Sequence, residues 1–191
     1  MPDFFSDNQI MLKVKAGDLD KLALLYERYK KMLFGFFYKM NRNTSVCEDM
    51  VQVVFVKVIN GKHQFTGEGE FSMWLFTIAR NVGYDYFRKN KRPHDDIDDH
   101  HNISSTANLE QELSNNEEIC LLEQALDRLE HEQKEVLIMS RFENLKYKQI
   151  AHILNVSEGA IKMKVKRALV ELRRVYLKLE AGGYEIGENN E

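Results

Sequence analysis

The chain has 191 residues, of which 43% are apolar and 30% are charged, as in ordinary globular proteins. This length fits one average domain or two small ones, and we expect two. With only 2 prolines and 10 glycines, an all-β sandwich is disfavoured, because its many turns need both residues. The sequence shows no apolar run of about 18 residues and no secretory leader, so we expect a cytoplasmic protein without direct membrane insertion.

The formal net charge of -3 conceals a segregation of charge along the chain. Residues 1–92 hold 15 Lys/Arg against 10 Asp/Glu, and residues 93–118 hold none against 8. Residues 144–178 hold nine Lys/Arg against two Asp/Glu. Basic blocks are typical of phosphate-binding surfaces, although lysines that only solvate a helix face give the same pattern. Charge alone therefore does not decide between these two interpretations.

Three helices are predicted in the N-terminal half of the chain. Apolar residues recur every three or four positions over residues 19–40, over residues 45–59 and again over residues 70–90. Between the last two segments, Gly67 and Gly69 predict a loop.

The third of these helices carries aromatic side chains on both faces. At about 100° per residue, the face that we expect to be buried consists of Phe71, Leu75, Ile78, Val82 and Tyr86. The face that we expect to point away from the core consists of Phe76, Arg80, Gly83, Tyr84 and Phe87. Rings interleaved with cations suit single-stranded nucleic acid, because unpaired bases stack on the rings and the cations follow the backbone. Ordinary core packing of these rings is the alternative.

Residues 93–117 are predicted to be a flexible acidic linker, because they offer too little apolar surface to offset the entropy of ordering them. The histidines and aspartates of residues 94–101 resemble ligands for a divalent cation, but no core flanks them to fix the ligand geometry. Cys47 and Cys120 form no CxxC pair. We therefore expect no metal site and no disulfide framework. The tail, residues 181–191, is predicted to be disordered.

A second helical domain is predicted over residues 118–180, and it contains a helix-turn-helix. Ile150 and Ala151 face inward from a short helix, Asn155 suits the left-handed conformation of a tight turn, and Ser157 caps a longer helix.

The longer helix of this motif has an apolar side and a basic side. Its predicted core residues include Ile161, Val165 and Ala168, and its opposite side carries Lys166 and Arg167. A recognition helix in the major groove needs this layout, since base edges are reached from one face and flanking cations hold phosphates. An ordinary amphipathic helix in a bundle is the alternative.

Four stretches of the chain resemble the extracytoplasmic-function group of bacterial RNA polymerase sigma factors. They are residues 16–29, 47–58, 65–92 and 144–174, and the most specific motifs within them are WLFTIARN and SEGAIKMKVKRA. The resemblance implies an all-α fold of two small helical domains joined by the linker. Residues 1–92 would melt the promoter and bind the core polymerase, and residues 118–180 would bind duplex DNA.

The resemblance also implies three sets of contact residues. The set expected to bind core RNA polymerase is Asp49, Gln52, Phe55 and Ile59. The set expected to bind the melted minus-10 element is Phe65, Phe71, Trp74, Arg80, Asn81, Tyr84, Asp85 and Arg88. The set expected to read or clamp the minus-35 element is Ser157, Glu158, Ala160, Lys162, Met163, Lys164, Lys166 and Arg167. The loop over residues 63–70 is expected to receive a flipped base.

Three positions depart from the family pattern. Val53 and Gln149 each stand where glutamate is usual, and Met163 replaces a small polar residue on the side expected to face DNA. Val53 removes one expected polar contact with the polymerase, and Met163 offers an apolar side chain to a thymine methyl group.

The implied function is promoter-specific initiation of transcription. RNA synthesis would belong to the polymerase, so we expect no enzymatic activity and no cofactor. The expected partners are core RNA polymerase, promoter DNA and an anti-sigma factor. Two alternatives stay open from the residues alone: a stand-alone DNA-binding regulator that uses only the helix-turn-helix, and a metal protein or enzyme built on residues 94–101.

Overall fold

The computed structural model describes residues 5–89 and 109–182, and every regular element within these ranges is a helix. The N-terminal unit consists of α1 (Asp7–Lys15), α2 (Leu22–Asn41), α3 (Thr44–Asn60) and α4 (Phe71–Lys89), with short 3₁₀ turns at Leu19–Lys21 and Lys62–Gln64. The C-terminal unit consists of α5 (Leu109–Asp127), α6 (His131–Leu137), a π-helical turn (Ile138–Phe142), α7 (Tyr147–Leu154) and α8 (Glu158–Glu180). The all-α prediction is confirmed.

The helix boundaries follow local chemistry. Arg42 ends α2 in a left-handed conformation, with φ of 59°. The side chain of Asn43 then caps α3 by accepting a hydrogen bond of 3.0 Å from the Val46 N–H, and Gly61 ends that helix. In the helix-turn-helix, Asn155 is left-handed, with φ of 53°, as predicted. Ser157 caps α8 by accepting a hydrogen bond of 3.1 Å from the Ala160 N–H.

Helix α1 was not among the predicted elements. Ser6 and Gln9 form a reciprocal capping box at its start, and its buried face consists of Ile10, Met11 and Val14. These three residues span little more than one helical turn. A segment of this length is too short to show helical periodicity, so the sequence does not distinguish a helix from an apolar cluster.

The prediction that one face of α4 points away from the core is wrong for Phe76 and Gly83, whereas Tyr84 on that face is 48% exposed. Phe76 on that face is fully buried, and so is the backbone at Gly83, where a Cβ would lie 3.6 Å from the ring of Phe37. The reason is that α4 packs on both sides: α3 covers one side, while Phe36 of α2 and helix α7 cover the other. Helical periodicity had indicated only one buried face.

The predicted linker overlaps with α5. The helix begins at Leu109, within residues 93–117, because residues 109–127 are rich in leucine, glutamate and glutamine, which are strong helix formers. The rest of the predicted linker, including the histidine and aspartate cluster, and most of the predicted tail lie outside the described residues.

The two units pack against each other, and their buried side chains form one continuous apolar cluster. Ion pairs also connect the two units across this interface, which we call the seam. In each pair the cation comes from the N-terminal unit. Arg42 lies 2.9 Å from Glu123 and 3.3 Å from Asp127, Lys39 lies 3.9 Å from Glu143, and Arg80 lies 2.9 Å from Glu135. Carboxylates of the C-terminal unit therefore neutralise cations of the N-terminal unit.

Among the residues at the seam, Glu143 has the largest pKa shift. Burial raises its pKa from 4.5 to about 7, and nearby Lys39 only partly opposes this. The folded protein therefore retains a proton that the unfolded chain releases above about pH 4.5. The resulting stabilisation is complete below that pH and is lost as the pH rises through about 7.

We predict that Glu143→Gln makes stability less dependent on pH. Between pH 5 and pH 8 the wild-type chain should lose up to about 3 kcal/mol that the variant does not lose. Urea unfolding at the two pH values measures this difference, and the exposed Glu130→Gln variant serves as control. An equal loss of stability in wild type and Glu143→Gln would contradict the prediction.

Candidate functional site

The first turns of α8 present an exposed basic surface. All eight residues predicted to contact the minus-35 element lie there, and all are exposed except Ala160 and Lys164, which are half-buried. Met163 is 50% exposed at the middle of this surface, and Lys166 and Arg167 lie beside it in sequence and are also exposed. The structure thus places this predicted set on the first turns of α8, around the part of the helix that Ile161, Val165 and Ala168 do not bury.

Two of the cations on this surface are positioned by carboxylates. Lys162 lies 3.1 Å from Glu158 one turn earlier on α8. Lys164 donates a hydrogen bond of 2.7 Å to Glu132 of α6, and this contact lowers the pKa of the Glu132 carboxyl. The side chains of both pairs are largely exposed, so breaking either pair costs little free energy.

A shallow groove extends the basic surface beyond the predicted residues. Arg141 of the π-helical turn and Arg173 of α8 line it together with Lys162 and Lys166. Arg141 was missed by sequence reasoning because it lies on a different element, and only the fold brings it to the same groove as α8.

The residues predicted to bind the minus-10 element divide into three groups. Phe65 and Phe71 are buried, with 2% and 1% of their surface exposed, and Trp74 packs against both rings at 5.4 and 6.1 Å. These two phenylalanines therefore support Trp74 and present almost no surface of their own.

The second group lines an open groove between the end of α3 and α4. Trp74 and Asn81 of α4 face Lys57 and Gln64 across this groove, which has polar edges and an aromatic wall. Lys57 was missed by sequence reasoning because it lies on α3, outside the predicted loop. Gln64 lies within the loop of residues 63–70 but was not singled out there. Arg88 and Asp85 lie further along α4 and form an exposed ion pair of 3.3 Å.

The third group, Arg80 and Tyr84, lies at the seam. The Arg80 guanidinium lies 5.2 Å from the Tyr84 ring and donates a 2.9 Å hydrogen bond to Glu135. The ring of His131 lies 5.5 Å from that of Tyr84. Burial raises the pKa of Glu135, and the attraction of Arg80 opposes that rise.

The residues predicted to bind the polymerase lie on α3. Asp49 and Gln52 are exposed, Ile59 is half-buried, and Phe55 is 5% exposed and packs edge-on to Tyr26 at 5.0 Å. Grooves run along both sides of α3. The one towards α2 is lined by residues that include Tyr26, Phe34 and Gln52, and the one towards α4 is lined by residues that include Asp49, Val53 and Tyr86.

Val53 and Val56 give α3 an apolar outer surface. Val53 is 43% exposed and Val56 is 54% exposed. The departure at Val53 thus adds to an existing apolar surface, which suits contact with another protein.

Among residues 5–89 and 109–182, no group of three or more His, Cys, Asp and Glu side chains is placed to hold a metal ion. No helix in that same part of the chain combines the length and apolar character needed to cross a membrane.

Comparisons with known proteins agree with this arrangement. The model of Sigma-70 region 2 matches residues 25–93, and the model of Sigma-70 region 4 matches residues 121–172. The ECF RNA polymerase sigma factor SigX of Bacillus subtilis is 30% identical over 161 residues, which cover 81% of this chain and 83% of SigX. The RNA polymerase sigma factor YlaC of the same organism is 28% identical over 81% of this chain and 91% of YlaC.

Solved structures share the fold. CnrH, solved in complex with the cytosolic domain of CnrY, superposes with a TM-score of 0.70 at 19% identity, over 92% of this chain and 97% of CnrH. The sigma factor RpoE of Bartonella quintana, solved with the anti-sigma factor NepR, gives a TM-score of 0.64 at 23% identity, over 83% of this chain and 98% of RpoE. Two matched sigma regions in the order of the two helical units, together with the identity to SigX, show that the chain belongs to the extracytoplasmic-function group of RNA polymerase sigma factors, which recognise promoters and initiate transcription.

Proposed function

We propose that the two units divide promoter recognition between them. Helix α8 reads the minus-35 element as duplex DNA, and α4 with the loop of residues 63–70 captures the minus-10 element after its strands separate. The observation that carries the proposal is the exposed basic surface of α8 around Met163. Base edges are distinguishable in the major groove, so a helix with this surface suits a sequence-reading role.

The N-terminal unit supports capture of unpaired bases. The groove of Trp74, Asn81, Lys57 and Gln64 combines a ring for stacking with polar groups for base edges. Phe65 and Phe71 act in this proposal as the packed support beneath Trp74. Unstacking a base costs a few kcal/mol, which such contacts offset in part.

Protein partners are assigned to α3 and its grooves. Asp49, Gln52, Val53 and Val56 form the exposed surface that would dock on core RNA polymerase, with Phe55 and Ile59 fixing the helix from beneath. An anti-sigma factor is a further proposed partner, since the solved relative RpoE is bound to one. The chain itself carries out no chemical step in this proposal, and it acts where the polymerase acts, in the cytoplasm.

The two units must separate before Arg80 can bind DNA in this proposal. Arg80 is paired with Glu135, so it is available to the separated strand only after α6 moves away. We therefore propose that the described arrangement is a closed form of the sigma factor, and that the two units part when the protein engages the polymerase and the promoter.

Run-off transcription with purified core polymerase tests the proposal as a whole. Adding the full chain to core enzyme and genomic fragments should produce transcripts from discrete start sites, and mapping these sites defines the promoter elements. A stand-alone regulator would bind the fragments without conferring initiation on core enzyme, and that outcome would refute the proposal.

We predict that Lys162→Ala and Lys166→Ala weaken duplex binding without changing sequence preference. We assign each lysine to a DNA phosphate, so each substitution should lower the slope of log affinity against log salt by about 1. Fluorescence anisotropy with a mapped minus-35 duplex at several salt concentrations measures the slope. Lys31→Ala, which removes an exposed cation of the other unit, should leave the slope unchanged. An unaltered slope in the α8 variants would mean that Lys162 and Lys166 do not contact DNA phosphates.

We predict that Glu135→Gln opens the seam and strengthens binding of single-stranded minus-10 DNA by the free chain. The substitution keeps the shape of the side chain and removes the charge that holds Arg80, so affinity should rise several-fold, equivalent to about 1 kcal/mol. Anisotropy with a single-stranded oligonucleotide measures the change. Glu130→Gln, at the exposed start of the same helix, is the control. Equal affinity in wild type and Glu135→Gln would argue against a closed form.

A further inference from the structure

Helix α1 contacts the glycine loop, although it lies before the residues matched by the region 2 model, 25–93. The Asn8 side chain donates hydrogen bonds from Nδ2 to the carbonyl oxygens of Gly67, at 3.3 Å, and Gly69, at 2.6 Å. Its Oδ1 accepts a hydrogen bond of 2.8 Å from the N–H of Phe71. Lys15, at the other end of α1, donates a bond of 2.6 Å to the carbonyl oxygen of Phe65.

These contacts use both donors of the Asn8 amide and one acceptor site of its oxygen. Both amide hydrogens bind loop carbonyls, while the carbonyl oxygen caps the first N–H of α4, which has no partner within its own helix. An aspartate of the same size offers only acceptors and would repel the two carbonyl oxygens. Asn8 therefore holds the end of the loop and the start of α4 in one fixed relation.

The loop backbone needs such support. Gly67 and Gly69 have φ values of 83° and 77°, in the left-handed region that side chains disfavour. Glycine also leaves a chain with the most conformations to lose on ordering, so a loop with two glycines is not rigid by itself. The side chain of Leu12 lies beneath Gly67, where a Cβ would come within 3.5 Å of it. Helix α1 is thus the surface on which the loop rests.

Helix α1 is itself fixed to the rest of the unit. Its residue Asp7 binds Arg28 of α2 at 2.5 Å and accepts a hydrogen bond of 2.6 Å from the Tyr29 hydroxyl. Ile10, Met11 and Val14 are fully buried. A continuous set of contacts therefore runs from α2 through α1 to the loop.

We propose that Asn8 and Lys15 are positioning residues that hold the loop of residues 65–70 in the conformation that selects a captured base. The inference rests on the proposed function, in which this loop receives a flipped base of the minus-10 element. A loop ordered before binding pays less entropy when the base enters. Selectivity for that base then depends on α1, which itself does not contact DNA.

The test uses holoenzyme assembled from core polymerase and the full-length chain. Promoters mapped by run-off transcription are varied to each of the four bases at every minus-10 position, and the rate of open-complex formation is measured. Wild type should show a strong base preference at one position or more. If it shows none at any position, the proposed function of the loop fails, whatever the role of α1.

The variants are Asn8→Asp, which keeps size, and Lys15→Met, which keeps the length of an exposed side chain. Each should reduce the preference at one minus-10 position by about tenfold, which is the order of discrimination that a set of contacts to one base edge supplies. Affinity for core polymerase and for minus-35 duplex should stay at wild-type values, which also shows that the variants fold. Lys13→Met on the same helix is the control, because Lys13 contacts the Phe5 ring instead of the loop.

Two results would overturn the proposal. One is an unchanged base preference in both variants. The other is an equal loss of open-complex formation for all four bases, since this would mean that Asn8 and Lys15 contribute only to stability. Faster amide hydrogen exchange over residues 66–71 in the variants, with unchanged exchange in α3, is the independent sign that the loop has been released.

Discussion

The constraint on which the structure depends is that α4 must be covered on both faces. Phe71 and Leu75 are buried on one face, and Phe76 and Gly83 are buried on the other. Helices α2 and α3 alone leave part of the second face open, and the C-terminal unit completes the cover through α6 and α7. Part of the α4 surface that the promoter would use, at Arg80 and Tyr84, therefore lies where the two units meet.

In our proposal, the charges at the seam allow Arg80 to alternate between packing against the C-terminal unit and binding the promoter. Glu135 has 4% of its side chain exposed, and the pKa of its carboxyl is raised because burial disfavours the charged form. A buried ion pair gains little net stability, since desolvation offsets much of the attraction. Arg80 keeps a partner when the units are together, and in our proposal a phosphate takes the place of that carboxylate when they part. The pair thus favours one arrangement without making it permanent.

Local chemistry was readable from the sequence, and contacts between distant segments were not. The turn at Asn155 and the cap at Ser157 depend on a few neighbouring residues, and both were predicted correctly. The exposed cations of α8 followed from helical periodicity in the same way. The burial of Phe76 was not predicted. Periodicity shows which residues share a face of a helix, but it does not show how many other helices pack against that helix. Arg80 and Glu135 are 55 positions apart, and no pattern in the sequence pairs them.

The glycine loop shows the same division within one candidate site. Gly67 and Gly69 predicted a loop, because their freedom at positive φ interrupts a helix. That freedom also means that the sequence of the loop cannot specify a single conformation. The specification comes from Asn8, which lies 59 to 63 positions away and precedes the matched region. A flexible segment that must present fixed groups to a base needs this kind of external support. In our proposal, the order of the loop therefore depends on the helix beside it.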